Sequence, residues 1–296
     1  MKKKIFLTGG TGFIGQNIKE QLTSKYEIFS PNHSELDLTD SMAVSNYLKE
    51  LRPDAVIHAA NIGGNRKTIN QQDTVKTNLK MFFNVARCRN YFGKMIQIGS
   101  GSEYDHSKEV KRVSEEDFDV AVPTDDYGFY KYVCSKYIEN TDGITCLRLF
   151  GCFGKYEDYE VRFISNALCK SIFNHPITLA NKNAKFSYIY VNDLVRIIEY
   201  FINNDAKFKF YNIVPDETYE LISLANIIKQ ITKNEHEVAV KNAGMASEYT
   251  GKNTRLRSEL KEFRFTPIGE AITELYRWYV ENKQKLNVEK IIVDKY

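Results

Sequence analysis

Cysteine is sparse in this chain, and the five present do not pair: Cys88, Cys134, Cys146, Cys152 and Cys169 show no C-x-x-C spacing. Most fall inside apolar periodic segments, which reads as buried free thiols in a reducing cytoplasm and argues against a zinc site. Long apolar runs are also missing. No stretch reaches the ~18 residues a membrane span needs, and there is no signal-peptide core, so no membrane association is expected. Nor is either charge in excess. Lys and Arg total 41 against 38 Asp and Glu, a formal net charge of +3, with the signs interspersed. The basic opening Met1-Lys2-Lys3-Lys4 runs at once into a strand, so a solvated start rather than a nucleic-acid arm is expected. No internal repeat or low-complexity linker divides the sequence. At 296 residues and 43% hydrophobic, the chain is long enough for two sub-structures around sizeable cores.

What is present is concentrated at the start. Ile5 to Leu7 reads as a short buried strand running into Thr8-Gly9-Gly10-Thr11-Gly12, and then into a helix with Phe13, Ile14, Ile18 and Leu22 on its apolar face. Glycines at 9, 12 and 15 suit a dinucleotide: one for the tight turn, one to admit a pyrophosphate to bare backbone, one for close helix–strand packing. The helix N-terminus adds free N–H groups and partial positive charge. A glycine triplet alone also marks ordinary turns; the strand before it and the amphipathic helix after it supply the context. Tyr26 to Phe29 reads as a second strand. Its tip carries Ser30 and Asn32 where an Asp or Glu would accept from the adenine ribose, which favours NADP(H) over NAD(H), although no Arg stands there.

Further on, a helix is expected over Ser41–Leu51 with Thr39 or Asp40 as cap, a buried strand over 53–60, and a polar loop around Gly63-Gly64. A helix with Val75, Leu79, Phe82, Phe83 and Val85 inward precedes a fourth strand, Lys94 to Gly99, that stops at Ser100-Gly101-Ser102. Strands alternating with helices in this way mean βαβ units and a parallel sheet with ligands at the carboxyl ends of its strands. The acidic run from Glu103 to Asp126 reads as a substrate-side loop. A helix from Tyr127 to Glu139 and a strand from Ile144 to Phe150 follow. Beyond Gly151 the alternation fades, with helices over 161–173, 192–202, 223–232 and 267–282, short strands near 177–179 and 188–191, and a last strand over 209–213. The tail from Val288 has no assignment. The expected architecture is α/β: a Rossmann-type doubly wound parallel sheet over 1–150 plus about 190–213, and a smaller C-terminal α/β substrate lobe from 151–189 and 214–296.

Tyr127 and Lys131 stand four apart and share a helix face. A free phenol has a pKa of ~10, and an ammonium with an oxidised nicotinamide nearby favours the phenolate. Ser100 can hydrogen-bond the same substrate oxygen. Together these groups suffice to move a hydride at a C–OH/C=O centre when the cofactor carries the redox step. Tyr132 and Lys136 repeat the spacing; Tyr127 is preferred because it follows a Pro-containing loop at the helix start, where a side chain reaches the strand edge.

Gly9-x-x-Gly12-x-x-Gly15, Ala59-Ala60, Asn78, Ser100 and Tyr127-Gly128-x-x-Lys131 together resemble the extended short-chain dehydrogenase/reductases that act on nucleotide sugars, over nearly the whole chain. The resemblance implies a catalytic triad of Ser100, Tyr127 and Lys131. It also places Gly9, Thr11, Gly12, Phe13 and Ile14 on the cofactor, Asp37-Leu38 near the adenine, Ala59-Ala60 and Asn78 along it, and Phe150 beside the nicotinamide. It implies a nucleotide-diphosphate sugar in the C-terminal lobe, a cytoplasmic homodimer, and a place in deoxysugar biosynthesis for surface glycans. The 4,6-dehydratases of the family carry Thr-Asp-Glu from the triad hydroxyl onward; Ser100-Gly101-Ser102 offers no such acid/base pair. Glu35 to Asp40 and Ala59 to Gly64 are instead similar to the GDP-fucose synthase-like reductases, which bring Gly64, Asn65 and Ser102 to the substrate. Those enzymes pair a cysteine, here Ser102, with a histidine beyond the nicotinamide strand, and none lies between His106 and His175. Reduction of the C4 ketone of a nucleotide-linked 4-keto-6-deoxy sugar is therefore expected, without 3,5-epimerisation. The alternatives are an epimerase holding NAD tightly and a non-catalytic NADP sensor. Phe186-Ser187 replaces an Arg-Asp pair common in relatives, leaving Arg162, Lys185, Arg255 or Arg257 to bind the diphosphate.

Overall fold

The computed structural model describes residues 1–64, 72–179 and 181–292. In chain order the elements are β1 (Lys4–Thr8), α1 (Phe13–Leu22), β2 (Glu27–Phe29), α2 (Ser41–Leu51), β3 (Ala55–His58), α3 (Thr74–Ala86), β4 (Lys94–Ser100), β5 (Val110–Val113), α4 (Asp126–Glu139), β6 (Ile144–Leu149), β7 (Gly151–Phe153) and α5 (Phe163–Ile172). There follow β8 (Thr178–Leu179), β9 (Lys185–Phe186), β10 (Tyr188–Tyr190), α6 (Val191–Asn203), β11 (Phe210–Ile213), β12 (Tyr219–Glu220), α7 (Leu221–Thr232), β13 (Ala239–Val240), β14 (Tyr249–Gly251), α8 (Thr254–Glu259), α9 (Ile268–Glu281) and α10 (Val288–Ile292).

Six strands form one sheet in the order β11-β6-β4-β3-β1-β2. Every pairing in it is parallel. Side chains alternate across a strand, so each central strand feeds two cores. Ile5, Leu7, Ala55, Ile57, Ile96, Ile98 and Leu147 pack with Ile18 and Leu22 of α1 and with Leu194, Ile197, Ile198 and Phe201 of α6. Phe6, Val56, Met95, Ile144 and Cys146 face the opposite way, onto Val44 and Leu48 of α2, Phe82 and Val85 of α3, and Tyr130, Cys134 and Ile138 of α4. This doubly wound α/β arrangement is the one expected. The chain runs from β1 outward to β2 and then crosses to β3 on the other side of β1, so the strand order reverses between β1 and β3. A crevice opens at that point, beyond the carboxyl ends of the strands. A third core joins Leu168 and Cys169 of α5, Leu224 and Ile228 of α7, Ile272, Leu275 and Tyr279 of α9, and Ile291 of α10.

Local chemistry explains several boundaries. Asp40 caps α2, its carboxylate accepting from the Met42 and Ala43 amides at 2.9 and 3.0 Å. Asp125 caps α4 and holds the Gly128 amide at 2.8 Å, which sets where Tyr127 leaves the helix. The 103–126 segment is more regular than a loop: β5 lies inside it and pairs in parallel with β14. Three short strands, β12, β13 and β14, follow β11, which the sequence pattern marked as last. The tail forms α10 as far as Ile292. Four cysteines are buried free thiols; Cys152 is partly exposed.

Candidate active site

β1 hands the chain to α1 through a turn in which a side chain at two positions would collide with backbone. Gly9 has φ +73° and lies under the β3 exit, where a Cβ would sit 2.7 Å from the Ala60 amide nitrogen. A Cβ on Gly15 would sit 2.2 Å from the Gly9 carbonyl oxygen. By contrast, a Cβ on Gly12 meets only the Gly9 oxygen, at 3.3 Å, leaving bare backbone toward the crevice at the start of α1. Thr8 ties the two strand ends together: its hydroxyl accepts from the Ala60 amide at 3.2 Å and lies 2.9 Å from Nδ1 of His58. His58 is fully buried, and that burial pulls its pKa down to about 3, so the ring is neutral.

The crevice is one open cleft of about 1790 Å³. That exceeds the roughly 300–1,000 Å³ of a single small-molecule site, so there is room for two ligands end to end. Gly9, Thr11, Gly12, Phe13, Ile14, Asn32, Asp37, Leu38, Ala59, Ala60 and Phe150 line it from the turn side. Ser100, Ser102, Tyr127 and Lys131 line it too, as do Gly64 and Arg162. The cradle of bare turn backbone leading to Phe150 fits a dinucleotide. Asn65 lies outside the described residues.

Five residues assigned to the site from sequence stand away from the cleft lining. Ser30 is turned onto Gly10, whose added Cβ would meet its Oγ at 1.8 Å. Asn78 is buried and spends its amide on backbone: Oδ1 accepts from the Ile62 amide, and Nδ2 donates to the Ile62 and Thr74 carbonyls, each at 2.9 Å. It shapes the cleft edge without facing it. Lys185 sits in β9, in register with Glu220 of β12. Arg255 is paired with Glu116 at 2.8 Å beneath β11. Arg257 is likewise paired, with Asp216. Of the four cations considered, Arg162 alone lines the cleft, and its Nη2 donates to the Gly64 carbonyl at 3.1 Å.

Around Ser100 and Tyr127, Lys131 is buried, its ammonium donating to the Ile98 carbonyl of β4 and lying 5.8 Å from the Tyr127 ring centre. Tyr127 packs edge-on against Tyr130, and the Gly64 backbone approaches so closely that a Cβ there would be 2.5 Å from the phenol ring. Tyr132 and Lys136 face the other way: the phenol donates to Asp119 at the surface and the ammonium is paired with Asp119 and Glu139. Ser100 ends β4 and caps the short turn Gly101–Tyr104, while Glu103 accepts from the Ser100 amide at 2.9 Å. The other Glu103 oxygen takes Arg148 at 2.7 Å and the Ser135 hydroxyl at 2.6 Å, all of them buried. Arg148 lies against both the Phe118 and Phe210 rings, which stack on each other, 4.3 and 4.4 Å from their centres.

Sequence reasoning missed two residues here. His106 lies 2.9 Å from the Ser102 hydroxyl and lines the cleft. Tyr249 of β14 stacks on His106 at 4.1 Å and on Phe150 at 4.9 Å, closing the cleft wall from a strand more than 140 residues away. The four-residue spacing from Ser102 to His106 was the available signal for the first; nothing local marks the second. Glu157, also in the lining, is buried against the Ser165 hydroxyl, and burial pushes its carboxyl up to about 7 against the opposing effects of Arg162 and Ser165.

Among curated proteins, the chain is 29% identical over 255 residues to the GDP-L-colitose synthase of Yersinia pseudotuberculosis, covering 77% of this chain and 82% of that one. It is 26% identical to the GDP-6-deoxy-D-talose 4-dehydrogenase of Aggregatibacter actinomycetemcomitans over 93% and 97% of the two chains. The fold matches that of GDP-mannoheptose C4 reductase from Campylobacter jejuni, solved with NADP bound, at a TM-score of 0.81 and 20% identity over 94% of this chain and 98% of that one. The family described as NAD dependent epimerase/dehydratase matches residues 5–214. With that match over most of its length, the chain belongs to the NAD dependent epimerase/dehydratase family.

Proposed function

We propose that the protein is an NADP(H)-dependent reductase of the C4 ketone of a nucleotide-linked 4-keto-6-deoxy sugar. The observation that carries this reading is the opening of Ser100, Tyr127 and Lys131 onto the same cleft as the glycine turn. Relatives named for nucleotide-sugar synthesis and 4-dehydrogenation support the substrate class. The dinucleotide, when bound, supplies the hydride. Gly9, Gly12 and the α1 N-terminus would hold its pyrophosphate, Asp37 and Leu38 its adenine end, and Lys131 and Phe150 its nicotinamide end. Tyr127 would give its proton to the carbonyl oxygen and Ser100 would hold that oxygen in place by a hydrogen bond.

Two observations favour NADP(H). The Glu35 carboxylate is turned back onto the Asn32 amide at 2.7 Å and stands outside the cleft lining. Asp37 spends Oδ1 on the Thr39 amide and hydroxyl, both at 2.8 Å. The Glu35 carboxylate is therefore turned away from a 2′-phosphate, while Asp37 stays ionised and Asn32 and His33 offer donors at the cleft wall. The sugar nucleotide would lie toward Gly64, Ser102 and Arg162. Free thiols suit a cytoplasmic setting, and no helix among the described residues is long and apolar enough to cross a membrane. A homodimer is part of the same reading, by family analogy.

The test is oxidation of NADPH and of NADH against a panel of nucleotide-linked 4-keto-6-deoxy sugars, with product configuration at C4 and C5 read by NMR. Turnover with retained C5 configuration is expected. Conversion of a 4-hydroxy sugar to its C4 epimer without net oxidation of added NADPH would instead establish an epimerase.

A further inference from the structure

β4 ends in a chain of hydroxyls that continues past the triad serine. The Ser100 hydroxyl donates to the Ser102 hydroxyl at 3.1 Å and accepts from the Ser102 amide at 3.1 Å. The Ser102 hydroxyl in turn lies 2.9 Å from Nε2 of His106. All three side chains line the cleft that Tyr127 faces. The His106 ring is braced by Tyr249, and the charged groups facing it are Asp105 on its own segment and Asp125 at the start of α4. Although the residue is partly open to solvent, desolvation of the ring packed against Tyr249 holds its pKa below the ordinary value, with Asp125 and Asp105 pulling the other way, so the ring is neutral at pH 7. A neutral imidazole can release a proton from one nitrogen while taking one up on the other, and hydroxyls pass protons in either direction.

We propose that Ser100, Ser102 and His106 form a proton relay that restores Tyr127 after each reduction, a role that rests on the ketoreductase reading above. The atoms balance as follows. The carbonyl carbon gains hydride from the reduced dinucleotide, the C=O π pair moves to oxygen, and that oxygen takes the Tyr127 phenolic proton. The phenolate regains a proton across the new hydroxyl, which takes one from Ser100. Ser100 takes one from Ser102, and Ser102 takes one from Nε2–H of His106. Nδ1 of His106 takes a proton from water in the cleft, so the net proton comes from solvent, and proton exchange with that water returns the ring to the Nε2–H form before the next turnover.

The experiment has two arms on the full chain. Without any ligand, ¹⁵N NMR of the histidine rings is expected to find His106 as the Nε2–H tautomer, with that resonance moved by Ser102→Ala. A proton on Nδ1 at neutral pH, or no effect of Ser102→Ala, overturns the relay. With NADPH and a nucleotide-linked 4-keto-6-deoxy sugar, His106→Gln keeps a donor for Ser102 but cannot relay. Its kcat is expected to fall about 10²-fold with both KM values held within about twofold. Exogenous imidazole is expected to restore part of the rate in His106→Gly. Wild-type kcat in His106→Gln overturns the relay while leaving the reductase reading intact. Absence of turnover by the wild type removes the reductase reading, and the relay with it.

Discussion

Acidification from pH 7 to pH 5 pulls two buried groups of this protein in opposite directions. His58 is neutral in the fold because burial depresses its pKa from 6.5 to about 3. Below pH 6.5 the unfolded chain takes up a proton that the folded one refuses, so stability is present above that pH and lost on the way down. By linkage the loss between pH 7 and pH 5 is about 2 kcal/mol. Glu157 has the opposite sign. Burial raises its pKa from 4.5 to about 7, so the folded chain holds a proton that the unfolded one has released. That contribution is full below pH 4.5 and lost as pH rises through 7, which makes lowering the pH from 7 to 5 worth about 2 kcal/mol of added stability. Urea unfolding of the wild type, His58→Asn and Glu157→Gln at both pH values separates the two. Relative to the wild type, His58→Asn is expected to gain about 2 kcal/mol on acidification and Glu157→Gln to lose about as much. Other shifted groups, His106, Glu115 and Asp193 among them, are common to all three proteins and drop out of the difference. Differences below about 0.5 kcal/mol would refute the reasoning, since a shift of under half a pKa unit would then be all that burial imposes.

Three further outcomes can be checked directly. Tyr127→Phe is expected to lower kcat by about 10²–10⁴-fold while binding NADPH as the wild type does, measured by fluorescence titration. Gly15→Ala forces a methyl to within 2.2 Å of the Gly9 oxygen, so NADPH affinity should drop and the urea midpoint should fall by the equivalent of about 1–3 kcal/mol. Arg148→Met leaves Glu103 buried without its cation, at a cost of about 3–5 kcal/mol in urea unfolding, and adding Glu103→Gln should recover more than half of it.

The half of the fold that holds the glycine turn was legible because its signals are local. The strand, glycine turn and amphipathic helix fall within the first 22 residues, and each central strand carries enough apolar residues to declare itself. The smaller lobe was not. β5 is four residues long and exists because β14, nearly 140 residues later, lies beside it; no periodicity within 110–113 could announce that pairing. The same distance hid Tyr249. The cations were ambiguous for a different reason: Arg162 and Arg255 have the same chemistry, and which one faces the cleft is decided by whether Glu116 is near. Asn78 and Ser30 point to the same lesson at the cofactor end. Each adjoins the cleft, but each spends its side chain on neighbouring backbone or packing.

Three elements of secondary structure converge on the single carboxylate of Glu103: its own turn after β4, Arg148 from β6 and Ser135 from α4. The end of β4 that carries Ser100 is thus anchored through its backbone by the part of the protein that holds the sheet together. The cleft wall formed by residues 106–125 lies above that anchor and shares none of its bonds to Glu103. Exchanges in that wall that spare His106, Phe118 and Asp125 would reshape the cleft without loosening the end of β4, so the form of the cleft and the footing of Ser100 are free to diverge separately.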